Sequence, residues 1–485
     1  MEFSGLKEPK SIKRALLIGI CALMTASCAL NPFGGDSDET EEVAEKEKKE
    51  SRKEKEKREE EEERASRISI LSLEETVEAD PRLASLLVDV PGSYTNESWP
   101  QPGGEADHTL HHLYAEGTLE KAWSVSINAD AGRRARLTSP PVVADGRVFV
   151  TDTEARISAY DIETGDRLWR ADLTPKLSQK FRLREIFSGP NPAHIGFGGG
   201  VAYDGGALFV TSGFGFVAAL DAETGEEKWR KTTDAPVRTS PTAYRGAVYA
   251  VTNTNELVAL SQEDGEQLWN FQSFEEAARI LSSTSPAADG DLLIAPFSSG
   301  ELIAFLTDNG RPLWNDTLAR NTRLNALSTL NDIAGAPVID RGLVYVASHS
   351  GRLAAIDIRS GGRVWEAPIA SVQMPWVAGD YIFVVSVDAE LVCVSREKGS
   401  IVWVRQLERY TNEKKRQGRI TWAGPVLVGG SLILVSSEGR IVKAAPESGA
   451  VLEEKKIGDG SVISPIVANE KILVLTERGK LVALR

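Results

Sequence analysis

SPPVVADGRVFVTDTEARISAYDIETGDRLW, residues 139–169, is the stretch that decides the fold. Short runs of β-branched and aromatic residues are separated by turn residues, as in an all-β sheet protein. The stretch closes on a tryptophan four positions after a turn glycine. The phrase returns as SPTAYRGAVYAVTNTNELVALSQEDGEQLW over 240–269 and as GAPVIDRGLVYVASHSGRLAAIDIRSGGRVW over 335–365. Trp169, Trp229, Trp269, Trp314, Trp365 and Trp403 follow Gly165, Gly225, Gly265, Gly310, Gly361 and Gly399 at the same four-residue distance. Trp123 occupies the matching slot in a detached segment. Trp229 and Trp269 stand 40 residues apart, Trp269 and Trp314 45, the period of one four-stranded propeller blade.

The units share further turns. The second turn carries Gly215, Gly300, Gly351, Gly439 or Gly479, and Asn255 once, residue types that tolerate positive φ in a tight hairpin. The third turn is of the Asp-x-x-Thr-Gly kind at 161–165 and 221–225, where Asp or Thr bonds nearby backbone and glycine closes the turn. Complete units end at the six tryptophans from Trp169 to Trp403. A seventh, 422–457, has Glu453 where the tryptophan should stand. Residues 464–485 supply three strands of an eighth, and 119–127, with Trp123, supplies the missing fourth. An N-terminal strand that completes the C-terminal sheet leaves no free edge. The expectation is an all-β, eight-bladed β-propeller over 117–485. A linear solenoid would need caps at both ends, and none is visible. At this spacing each indole sits on a blade's outer strand and packs on the neighbouring blade, a structural docking role rather than a ligand channel.

Ahead of the ring the composition changes. Lys7, Lys10, Lys13 and Arg14 precede an apolar run at 15–24, short for a membrane span. It leads into Thr25-Ala26-Ser27-Cys28. Small residues before a cysteine resemble a bacterial lipobox, with Thr25 where leucine is usual. This implies a lipoprotein signal peptide at 1–27, lipidation of Cys28 and, with Ala29 next, an outer-membrane anchor facing the periplasm. The alternative is an ordinary cleaved signal with an incidental cysteine. Residues 28–67 read as a charged low-complexity tether, almost wholly Glu, Lys and Arg over 36–64, either a spacer or plain disorder. Residues 68–116 read as a short helix (69–90) and a Pro/Gly-rich linker (91–112). Cys393 is the remaining thiol and reads as a small buried hydrophobe. The net charge of −14 and the lack of a basic stripe in the repeats argue against nucleic acid.

No catalytic constellation stands out. His108, His111 and His112 have a spacing that a metal could use on a helix, but they fall in the linker without cysteine or a well-placed acidic pair, so a surface linker is the expectation. His194 and His349 are single. The Gly-rich 197–200 leads into a strand and makes no phosphate cradle. Trp376 and Trp422, at the starts of units, are candidates for a contact surface.

The repeat resembles the pyrroloquinoline-quinone-type propeller repeat with its tryptophan docking motif. Two branches carry it: the quinoprotein dehydrogenases, and the BamB lipoproteins of the outer-membrane β-barrel assembly machine. The dehydrogenases commonly have adjacent cysteines and longer insertions that hold a calcium site, and this sequence has no Cys-Cys pair. The lipobox-like Cys28 adds support for the BamB branch. That resemblance implies a non-enzymatic scaffold without a cofactor, a monomer within a complex. It implies docking on the barrel-forming (BamA-like) subunit and help with insertion of unfolded outer-membrane proteins. The family's contact loops correspond here to 275–282, with Arg279, Ile280 and Leu281, and to 323–333, with Asp332. Arg279 precedes the apolar pair where the family's arginine follows it, and Ala334 stands at a second position that is acidic in the family. The alternatives are a quinone- or small-molecule-binding propeller, and a generic envelope scaffold.

Overall fold

The computed structural model describes residues 77–83, 85–127, 136–175, 196–275, 280, 284–318 and 332–485. They include eight four-stranded antiparallel sheets, the blades of a closed propeller. Blade 1 runs from Val142–Ala144 to Arg167–Asp172, blade 2 from Gly199–Asp204 to Glu227–Thr232, and blade 3 from Thr242–Tyr244 to Gln267–Gln272. Blade 4 runs from Ala287–Asp289 to Pro312–Thr317, blade 5 from Val338–Asp340 to Arg363–Ala367, and blade 6 from Trp376–Ala378 to Ile401–Gln406. Blade 7 spans Trp422–Val428 to Val451–Lys456. Blade 8 takes Ile466–Ala468, Lys471–Leu475 and Lys480–Leu484 from the end of the sequence and Lys121–Ser126 from ahead of blade 1. The closure read from the sequence is the one the chain adopts.

Composition sets the order of strands within a blade. The first three strands of blade 1, VVA, RVFVT and RISAYD, have buried and mostly apolar centres, and the fourth, RLWRAD, is largely exposed. A strand covered on both faces reads as a solid apolar run, and one open to water alternates. The first strands of successive blades adjoin one another, so they line the ring's axis and the fourth strands form its rim.

Each described tryptophan of the array lies at a seam between blades. Within its own sheet it stands opposite a small residue: Trp169 opposite Ala159, Trp229 opposite Ala219, Trp269 opposite Ala259, and Trp123 opposite Ala483. Trp314 and Trp365 face Ala304 and Ala355, and Trp403 faces Cys393. The indole N–H then donates to a carbonyl at the third turn of the next blade. The acceptors are Ile162 for Trp123 (2.9 Å), Ala222 for Trp169 (3.2 Å), Gln262 for Trp229 (2.9 Å) and Thr307 for Trp269 (2.9 Å). Ile358 serves Trp314 (2.8 Å), Arg396 serves Trp365 (2.7 Å) and Pro446 serves Trp403 (3.0 Å). The ring covers that turn's glycine so closely that a Cβ on Gly265 would sit 2.5 Å from Trp229. Cys393 is fully buried, and burial pushes its thiol well above the usual range.

The seam from blade 7 to blade 8 is built differently. Glu453 faces Lys443 in the register used elsewhere by Trp and Ala. Blade 8 has no covalent third turn, because that corner is where two distant segments meet. Thr118 Oγ1 donates to the Arg485 carbonyl at 2.7 Å, and the Arg485 N–H donates to Glu120 at 2.9 Å. Lys443 and Lys455 donate instead to the carbonyls of Gly117 and Thr118, at 2.8 and 2.9 Å. With no turn glycine to receive it, an indole at 453 would have no seat.

Residues 91–112 are not the surface linker expected from their composition. Together with Leu113 they form a strap that bonds to every blade. Asn96 bonds Val467 and Asn469 of blade 8, and Trp99 exchanges two backbone hydrogen bonds with Val143 of blade 1. The Gln101 side chain donates to Tyr203 and Ala243 carbonyls of blades 2 and 3 and accepts from the Ala243 N–H. The Ala106 and Asp107 carbonyls accept from Ala288 of blade 4 and Ile339 of blade 5. The His111 carbonyl accepts from the Trp376 indole of blade 6, and Leu113 bonds Leu427 and Gly429 of blade 7. A first strand has an unpaired backbone edge toward the axis, and the strap satisfies part of it. The described part of the helix expected over 69–90 holds a 3-10 turn at Pro81–Leu83 rather than an α-helix. The signal peptide, Cys28 and the tether lie outside the described residues.

Candidate functional site

A propeller has two faces. The strap lies where each first strand turns into its second, as its bond to Gly429 shows. The opposite face carries the connections between blades and the second turns. Ile280 and Asp332 belong to this open face, in the connections that lead into blades 4 and 5. The structure brings them together: the Ile280 N–H donates to Asp332 Oδ2 at 2.7 Å. Ile280 is half-buried, and Asp332 is only 4% exposed. The resemblance assigned Asp332 to a contact loop as an acidic position. Its side chain is buried and accepts from the backbone of Ile280. Arg279 and Leu281 lie outside the described residues.

Ile280 also lines a cavity of about 510 Å³ at the mouth of the ring. Leu137, Phe197, Met374 and Ile463 share its wall, with Trp99 and Trp376. Trp99 and Trp376 stack with ring centroids 6.4 Å apart, so the strap contributes part of the lining. Beside it the Arg238 guanidinium stacks over Phe197 at 4.2 Å, and desolvation lowers its pKa. Trp376 and Trp422, read as possible contact residues, are buried, and their indoles donate to His111 and Glu408 carbonyls.

The strap histidines do not converge on a metal, and no group of metal-ligating side chains forms among the described residues. His108 is buried, its Nδ1–H donating to the Pro337 carbonyl at 2.7 Å and its Nε2 3.3 Å from Ser285 Oγ. Burial pushes its pKa down to about 4. His112 receives the Gly430 N–H on Nε2 at 2.9 Å and bonds the Pro91 carbonyl through Nδ1. His111 Nε2 lies 3.9 Å from Asp340. These side chains fasten the strap to different blades. Composition concealed this, since a strap that bonds through backbone and isolated polar groups has no periodicity to detect.

Comparison with known proteins bears on the whole ring. The family model described as "Outer membrane protein assembly factor BamB" matches residues 112–186 and 157–405, more than half of the chain. The outer membrane protein assembly factor BamB of Moranella endobia is 24% identical over 366 residues, 75% of this chain and 90% of the relative. Among solved structures, BamB from Moraxella catarrhalis has a TM-score of 0.57 at 17% identity, over 75% of this chain and 97% of that one. A europium-containing methanol dehydrogenase has a TM-score of 0.62 at 14% identity, over 78% and 90%. At such identities the structural likenesses speak to the fold alone, which hosts unrelated functions.

Proposed function

Since the chain belongs to the family of the outer membrane protein assembly factor BamB, we propose that it is a non-enzymatic scaffold of outer-membrane protein assembly. It is lipid-anchored through Cys28 on the periplasmic side of the outer membrane. It docks on the barrel-forming subunit through the open face and aids insertion of unfolded outer-membrane proteins. The observation that carries the docking reading is the Asp332–Ile280 hydrogen bond. It ties Ile280, ahead of blade 4, to Asp332, ahead of blade 5, beside the cavity, and loops on a rigid scaffold commonly carry binding. In this reading Ile280, with Arg279 and Leu281, forms the contact, and Asp332 is a positioning residue.

The test is affinity purification of the tagged full-length protein from gently solubilised envelopes, with partners identified by mass spectrometry. Stoichiometric recovery of the barrel-forming subunit is expected. Ile280→Asp should reduce recovery about tenfold or more, as loss of an apolar anchor does. Asp332→Asn, which keeps a hydrogen-bond acceptor, should reduce it less than Asp332→Ala. Absence of the subunit, with the protein still in the outer membrane, would sink the assembly reading. For the anchor, Cys28→Ser should abolish incorporation of labelled fatty acid and release the protein from membranes.

A further inference from the structure

The connection between blades 6 and 7 carries a hairpin of its own, Tyr410–Asn412 paired with Gln417–Arg419. Its turn is a 3-10 helix, Glu413–Lys415. Asn412 caps it through a bond from the Lys415 N–H at 3.1 Å, and Arg416 ends it in a left-handed conformation with φ 49°. The Glu413 carboxylate accepts from the Arg409 and Tyr410 N–H groups, each at 3.2 Å. At the root, buried Ile420 donates its N–H to the Arg409 carbonyl at 2.8 Å. Arg409 and Arg419 both reach Asp388, at 2.7 and 3.4 Å. The arm is therefore fixed to blade 6's second turn, at the open face.

Its charge runs against that of the chain. Arg409, Lys414, Lys415, Arg416 and Arg419 stand on a protein of net charge −14. The two root arginines share one aspartate. The three tip cations, Lys414, Lys415 and Arg416, are exposed and form no ion pair among the described residues. A chain with excess carboxylates has ample means to neutralise three cations, yet this arm holds them away from its own surface. Like-signed, preordered charges favour an oppositely charged partner through both encounter rate and register. The tip, Glu-Lys-Lys-Arg-Gln-Gly, offers no apolar side chain to enter a bilayer, whereas amphipathic membrane anchors pair basic residues with apolar ones.

We propose that this hairpin is a second docking element, which seats its tip cations on an acidic patch of the protein bound at the open face. The inference rests on the assembly reading above and adds a contact remote from Ile280. The experiment is the same purification of the full lipidated protein, repeated over a range of sodium chloride concentrations with K414E/K415E/R416E. These residues are exposed and outside the blades, and far-UV circular dichroism checks that the variant folds as the parent does. Recovery of the barrel-forming subunit by the unaltered protein should fall with salt. The triple variant should recover about tenfold less at low salt and lose most of the salt dependence. Equal recovery with equal salt dependence would overturn the proposal and leave the assembly reading intact. Failure of the unaltered protein to recover the subunit would overturn both. A parallel flotation assay uses the Cys28→Ser chain with vesicles of phosphatidylglycerol and phosphatidylcholine. No flotation is expected. Salt-sensitive flotation that the triple variant abolishes would assign the hairpin to the bilayer and overturn the proposal.

Discussion

At the residue scale, the glycine four positions before each tryptophan from Trp169 to Trp403 has a role separate from that of its own blade's indole. Gly265 is needed for Trp229, which arrives from the blade before, while Trp269 continues to the blade after. A methyl group there meets both a φ of 73° and an indole ring 2.5 Å away. Gly215 has a similar φ of 80°, but its nearest neighbours would be 3.6 Å from a Cβ. Ala155 and Ala389 hold second-turn positions of the same kind with φ of 61° and 60°, so alanine is tolerated in that turn. Gly215→Ala should therefore cost about 1 kcal/mol from backbone strain, and Gly265→Ala about 3 kcal/mol or more, because overpacking is added. Urea unfolding of the two variants measures the difference. Equal losses would show that the indole does not need the glycine's missing side chain.

At the element scale, the strap makes the ring sensitive to acid. His108 has its pKa pushed down to about 4 from an ordinary 6.5. Below 6.5 the unfolded chain binds a proton that the folded chain refuses. The contribution of neutral His108 is thus complete above pH 6.5 and is lost as pH falls toward 4. The loss at pH 5 is on the order of 2 kcal/mol. His108→Gln should lower stability at pH 7 and flatten the dependence between pH 7 and pH 5, read from denaturation midpoints at both values. An unchanged slope would place the acid sensitivity elsewhere. The strap is also the part of the ring least legible in the sequence. Most of its bonds to the blades depend on a partner more than a hundred residues away.

For the whole molecule, closure is the event on which the other features depend. Seven tryptophans serve eight seams, and the seam without one adjoins the blade assembled from both ends of the ring sequence. Restoring the repeat by Glu453→Trp should therefore destabilise, by about 1–3 kcal/mol. The same indole would be expected to stabilise if each blade were an independent copy of the consensus. Thermal unfolding of that variant decides between the two. The open face, with Ile280 on Asp332 and the basic hairpin beyond, is left as the accessible end, because the strap occupies the other.

The repeat, its turns, the number of blades and the N-terminal strand that completes the last blade were all legible in the chain's local pattern. These depend on local period and on the chemistry of glycine and tryptophan. Ile280 and Asp332 were legible only as members of two loops suggested by resemblance. The burial of Asp332, the path of 91–113 across all eight blades and the place of Glu453 at the corner without a turn emerge only from the folded ring. Those outcomes depend on which backbone groups closure leaves unpaired and which distant residues it brings within bonding distance, and neither is encoded in any local stretch.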